Sequence, residues 1–113
     1  MQQARSIRRS LISAFTVLAV TPALGQSLAD IHEQRRERGL NCMSDHFHYG
    51  SSADKPSKRA AQTAAIQSWA DFVNFEYGSA WTSWARSGSK SISCTQAGSS
   101  YWGCDASARP CRP

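Results

Sequence analysis

The stretch SKRAAQTAAIQSWADFVNFEYG, residues 57–78, decides the fold. Within it Ala61, Ala65, Ile66, Trp69, Phe72, Val73 and Tyr77 recur at spacings of three and four, which sets them along one stripe of an α-helix. Ser57, directly after Pro56, is suited to N-cap the helix, and Gly78 to stop it. The spacing predicts an amphipathic helix over 57–77. Its early alanines let a neighbouring element approach closely, while Trp69 and Phe72 supply the bulk of the burial.

Downstream, residues 79–86 predict a short second helix, with Trp81 and Trp84 three apart and on one face. After Ser87-Gly88-Ser89 the chain turns extended. Residues 90–96 and 101–106 flank Ala97-Gly98-Ser99-Ser100, the signature of a β-hairpin, with Ile92, Cys94 and Tyr101 or Trp102 facing the helix. The tail, 107–113, holds Pro110 and Pro113 and reads as irregular.

Upstream, Asp45-His46-Phe47-His48-Tyr49 alternates polar and aromatic residues. On a strand this turns Phe47 and Tyr49 to one face and both histidines to the other. Gly50 to Pro56 is dense in turn-forming residues and reads as a loop. Residues 26–41 are polar and charge-rich, with Gln34-Arg35-Arg36-Glu37-Arg38 before Gly39, and read as a mobile arm with local helix around Leu28, Ile31 and Arg35. No repeat at fixed spacing is visible.

The first 25 residues have the order of an export signal. Arg5, Arg8 and Arg9 precede an apolar run over 11–20 that breaks at Thr21-Pro22, and the run is about half the ~20 residues a bilayer-spanning helix needs. Cleavage after Gly25 frees Gln26; the competing cut after Ala29 frees Asp30. Sec export is preferred to the twin-arginine route, because Ile7 stands before the arginine pair where that signal has Ser or Thr. The compact Arg-rich leader suits a bacterium, and the mature chain is expected in the periplasm or outside the cell with no membrane anchor. Cleavage also removes three of the 13 basic residues and none of the 8 acidic ones, so the precursor's net charge of +5 falls to +2. A nucleic-acid partner is therefore not expected from charge, since phosphate binding needs a clustered basic face.

The mature chain allows one domain, with limited burial, so covalent cross-links help it. Cys42, Cys94, Cys104 and Cys111 all lie in it, and an even count in a short exported chain reads as a disulfide framework. Of the three possible connectivities, a hairpin turn centred on Gly98 favours Cys94 opposite Cys104, which leaves Cys42 with Cys111. The expected fold class is thus α+β: a short strand, a long amphipathic helix, a short helix and a C-terminal β-hairpin, stapled by disulfides over residues 42–113.

Three functional hints remain. His46 and His48, two apart on a strand, share a face and can offer two nitrogens to Zn²⁺ or Cu²⁺, with His32 or a carboxylate completing the site; without a third ligand they are two strand histidines. If cleavage follows Ala29, the new terminus Asp30-Ile31-His32 can wrap Cu²⁺ or Ni²⁺ through its amine, backbone nitrogens and imidazole. Phe75, Trp81, Trp84 and Trp102 form a second hint, an aromatic surface for a protein or glycan partner, unless these rings fill a core poor in Leu, Ile and Val. Arg35, Arg36 and Arg38 form a third, a polyanion contact.

Catalysis finds little support: Asp71 and Glu76 lie five apart on the helix and share no face, no serine sits in a nucleophile turn, and Gly98 and Gly103 are isolated. No Cys-x-x-Cys is present for redox exchange. The sequence points to a non-catalytic binding or interaction module without a cofactor, with Zn or Cu binding at His46 and His48 as the alternative.

Overall fold

The computed structural model describes residues 14–19 and 28–113. The export signal read over 1–25 therefore lies outside the described residues except for 14–19, which carry no helix or strand. From Leu28 the chain forms an α+β domain. A 3-10 turn, Leu28–Ile31, leads into β1 (Gln34–Glu37), β2 (Leu40–Met43) and β3 (His48–Ser51). Then come α1 (Lys58–Tyr77), a 3-10 turn at Ser79–Trp81, β4 (Gly88–Ala97), β5 (Tyr101–Arg109) and β6 (Cys111–Arg112). The strands make two antiparallel sheets of three, ordered β1-β2-β6 and β3-β5-β4. Among the described residues no helix is long and apolar enough to cross a membrane.

The helix begins where its caps allow. Ser57 accepts a hydrogen bond from the Ala60 amide at 3.0 Å, and Gly78 ends the helix with φ 93°, a conformation that glycine adopts without side-chain strain. Its buried residues are Ala61, Ala65, Trp69, Val73 and Tyr77, each four from the last. At 3.6 residues per turn, steps of four drift by about 40° each, so the buried stripe winds around the helix rather than running straight. Ala61 and Ala65 thereby meet Cys104 and Ala106 of β5, while Trp69, Val73 and Tyr77 meet Met43, Ala108, Trp81 and Ala29. Phe72, expected to share the burial, falls off this winding stripe and is 49% exposed.

Close approach is what the small residues permit. A side chain on Gly50 would collide with the backbone of Ala65 and Trp69, so β3 lies directly against the helix. In β5 the alternation Cys104, Ala106, Ala108 turns three small side chains toward α1 and leaves Asp105 and Tyr101 exposed. Trp69 closes the core from the helix side: it is fully buried, donates from Nε1 to the Ala108 carbonyl at 3.3 Å and meets Trp84 edge-on at 5.2 Å. Trp84 packs against both halves of the core.

The hairpin and both disulfides follow the sequence reading. Cys94 lies opposite Cys104 in the β4–β5 register and Cys42 opposite Cys111 in the β2–β6 register, and each pair is bonded.

Three local expectations are corrected. Residues 34–41, read as part of an arm with local helix, belong with 42–43 to the β1–β2 hairpin, because Arg38 at φ 51° and Gly39 at φ 76° make a tight reversal and Cys42 anchors β2 to β6. The short helix at 79–86 is one 3-10 turn followed by turns. The tail is ordered, since β5 runs on to Arg109 and the Pro110 carbonyl accepts from the Met43 amide at 2.9 Å before β6. Proline lacks a donor, but here only its acceptor is used.

Arg109 ties the two sheets. It is 5% exposed, reaches from β5 to the Glu37 carboxylate of β1 through Nη1 at 2.5 Å and Nη2 at 2.8 Å, and also donates to the Met43 carbonyl at 2.7 Å and the Ser89 hydroxyl at 3.2 Å. The guanidinium holds the Glu37 carboxyl at a pKa of about 2, against a burial penalty in the other direction. Because the folded pKa lies below the unfolded value of 4.5, this stabilisation is present above pH 4.5 and is lost as pH falls toward 2. Replacing Glu37 by Gln is expected to cost roughly 2 kcal/mol at pH 7, because it leaves a buried guanidinium short of its counter-charge. Urea melts at pH 7 and pH 2 check this, since the difference between variant and parent must shrink at the lower pH; an equal difference at both excludes the ion pair as its source.

Candidate metal centre

The strand pattern places His46 and His48 on one face, and the structure keeps them there: His48 is buried at the start of β3, His46 is half-buried just before it, and Phe47 and Tyr49 face outward. The last turn of α1 brings Glu76 and Tyr77 under them. His48 Nε2 stands 3.1 Å from Glu76 Oε2, and one ligand atom from each of His46, His48 and Glu76 lies within 4.8 Å of the others. The rings of His46 and His48 are 5.3 Å apart between centroids at 61°. Two imidazoles on one tetrahedral ion, with bonds of ~2.0–2.1 Å, hold their centroids about 5 Å apart. The donor atoms would draw together to about 3.3 Å, a change that small side-chain rotations supply.

His32 lies beside this group. It follows the first 3-10 turn and stacks on His46 with centroids 4.2 Å apart at 30°. Tyr77 forms the floor, its ring edge-on to His32, His46 and His48 at 5.8, 6.2 and 4.9 Å. Phe72 closes one side at 5.2 Å from His48.

The electrostatics leave the cluster unsatisfied. Although Glu76 is near enough, His48 Nε2 forms no hydrogen bond with it, the angle being wrong, and the Tyr77 hydroxyl, also buried, has no well-aligned partner either. Burial lowers the His48 pKa and outweighs the pull of the Glu76 charge, while His46 and His32 push the same way as burial. The imidazole is therefore neutral at neutral pH, and its contact with Glu76 is no charged pair there. Burial and the Glu76 carboxylate push the Tyr77 phenol up to about 12. Glu76 sits in the last turn of α1, where the helix dipole disfavours an anion by ~0.3–1 kcal/mol, so a nearby cation would relieve it.

This carboxylate is the candidate ligand that the sequence does not single out. Weighing Glu76 only against Asp71 hid it, whereas an acidic residue in the final helical turn beside the stripe residue Tyr77 was the available signal. Asp45 is exposed and outside the group, as the strand alternation implies. The amino-terminal copper motif Asp30-Ile31-His32 exists only in a chain cut after Ala29; with Ala29 in place the His32 amide donates to the Ala29 carbonyl at 3.2 Å.

The other candidate sites disperse. Of the four rings read as an aromatic surface, Phe75 is 85% exposed, Trp84 and Trp102 are partly buried against the core, and Trp81 is 3% exposed, so the four make no common platform. Lys58 lies over the Trp102 ring at 5.9 Å and Arg112 over Trp81 at 5.4 Å. In the basic segment Arg36 donates to Asn41 and the Gly39 carbonyl, and Arg38 to the carbonyls of Arg86 and Ser87. Arg35 is paired with Glu37 at 3.4 Å. All three arginines stay exposed while making these contacts within the β1–β2 hairpin and from it to residues 86 and 87.

No protein-family model matches the chain, and neither the curated proteins nor the solved structures contain a similar one.

Proposed function

We propose that this is an exported, non-catalytic transition-metal binding domain, with Zn²⁺ or Cu²⁺ held by His46, His48 and Glu76. The observation that carries the reading is the buried His48 Nε2, unpaired although a carboxylate oxygen lies 3.1 Å away, with His46 placed as a second nitrogen. An orphaned buried acceptor costs about 1–3 kcal/mol, which a bound cation would offset for both groups. Donors of nitrogen and oxygen suit Zn²⁺ or Cu²⁺ better than Cu⁺, which prefers sulfur, and all four cysteine sulfurs are committed to disulfides.

The two disulfides point to an oxidising compartment, in keeping with a periplasmic or secreted protein. Cleavage after Gly25 fits this reading better than cleavage after Ala29. Ala29 is buried in the core and its carbonyl accepts from the Gln34 side chain at 2.9 Å, so a chain starting at Asp30 would lose both.

Zn²⁺ or Cu²⁺ at about 100-fold over its dissociation constant is expected to add about 2.7 kcal/mol, which raises the melting temperature of the oxidised protein by about 10–20 °C. The double variant His46→Ala, His48→Ala should lose the rise. An unmoved midpoint in the parent protein, or an equal rise in the double variant, rejects the reading.

A further inference from the structure

We infer that His32 is the fourth ligand of this centre, so that the metal is enclosed by three imidazoles and one carboxylate. The inference rests on the metal-binding reading above and adds to it the residue that decides whether the ion keeps an open position. His32 arrives from a different part of the chain than the other three ligands, yet its position is secured. Ala29, three residues before it, is fully enclosed in the core with Met43, Trp69 and Tyr77, and Gln34, two residues after it, donates from its side chain back to the Ala29 carbonyl. Between these two anchors the His32 amide closes a turn on the same carbonyl at 3.2 Å. The imidazole is thus delivered to the His46 ring by a braced segment.

Its present contact is a stack at 4.2 Å, closer and flatter than two imidazoles on one ion adopt. Opening that stack by about 1 Å brings the pair to the roughly 5 Å separation that His46 and His48 already have. Tyr77 borders all three rings, and Phe72 lies beside His48. Four protein ligands mark closed sites that store, carry or brace with the ion, whereas three ligands with an open position mark sites that activate water. Closure by His32 therefore specifies a retained Zn²⁺ or Cu²⁺ ion rather than a hydrolytic one. It also gives the ion a structural effect, joining the segment before β1 to β3 and to the end of α1.

Cobalt(II), a spectroscopic stand-in for Zn²⁺, tests this on the oxidised protein. The parent is expected to give the intense visible bands of four-coordinate tetrahedral Co²⁺. His32→Ala and the bulkier His32→Gln should both convert these to the weak bands of a higher-coordinate, water-bearing ion. Affinity should fall by at least the ~10–100-fold that losing even an outer-shell partner costs. His48→Ala should abolish binding. If both His32 variants keep the parent's spectrum and affinity while His48→Ala loses binding, the fourth-ligand assignment is overturned and the three-ligand site stands. If the parent binds no Co²⁺ or Zn²⁺, the assignment and the reading beneath it fall together.

Discussion

Replacing Cys42 and Cys111 together by alanine is expected to lower stability by about 4 kcal/mol, a loss of about 20–30 °C in melting temperature for a domain of this size. The bond closes a separation of 69 residues and joins β2 to β6. In the chain-entropy account most of its effect is to restrict the unfolded ensemble, and the restriction grows with loop length. The same double change at Cys94 and Cys104, which are separated by 10 residues within one hairpin, should cost less than about 3 kcal/mol. Local structure also differs in the same direction. Strand β6 has only two residues, so the Cys42–Cys111 bond and the Pro110 carbonyl carry most of its attachment, whereas β4 and β5 pair over nearly their whole length. Thermal or urea melts of the two double variants decide it. An equal or larger loss at the hairpin pair would refute the loop-length argument.

Trp69→Ala is expected to cost about 3–5 kcal/mol, enough to remove most of the stability of a domain at the low end of the ordinary range of about 5–15 kcal/mol. The indole is fully enclosed, its Nε1 is bonded to the Ala108 carbonyl and its edge contact with Trp84 reaches the second half of the core. Its removal leaves a cavity flanked by a rigid helix and a sheet held close by Gly50, so neighbouring groups have little freedom to collapse into the space. Phe72→Ala provides the contrast. That ring is half exposed and should cost no more than about 1 kcal/mol, although both rings occupy apolar positions in the heptad-like pattern. Equal losses for the two variants would mean that the winding stripe is not the packed face.

The candidate site was partly readable for the same reason that the strand was. Two-residue alternation put His46 and His48 on one side from the sequence, although β3 begins only at His48 and His46 lies just before it. Glu76 and His32 were different. His32 was named as a possible third ligand by residue type alone, whereas Glu76 carries no local periodic signal that marks it as a partner. They come near the pair only because the stripe of α1 winds until its final turn faces β3, and because Ala29 anchors the segment before β1 in the core. Arg109 was hidden likewise: next to Pro110 in a short tail it looks like a surface cation, and only the meeting of two sheets supplies Glu37 and the Met43 carbonyl.

By itself the sequence determined the long helix and its caps and the hairpin, put His46 and His48 on one side, and favoured, among three connectivities, the disulfide pairing that the structure shows. All of these follow from short-range rules: helical and strand periods, turn chemistry and the pairing of an even number of cysteines. Only the tertiary structure decided the second sheet, the burial of Trp81 in place of Phe72, the ion pair between the sheets and the placing of Glu76 beside His46 and His48. These depend on distances between segments that no local pattern encodes, set by how closely α1 can approach a β-sheet whose facing residues are glycine, alanine and cysteine.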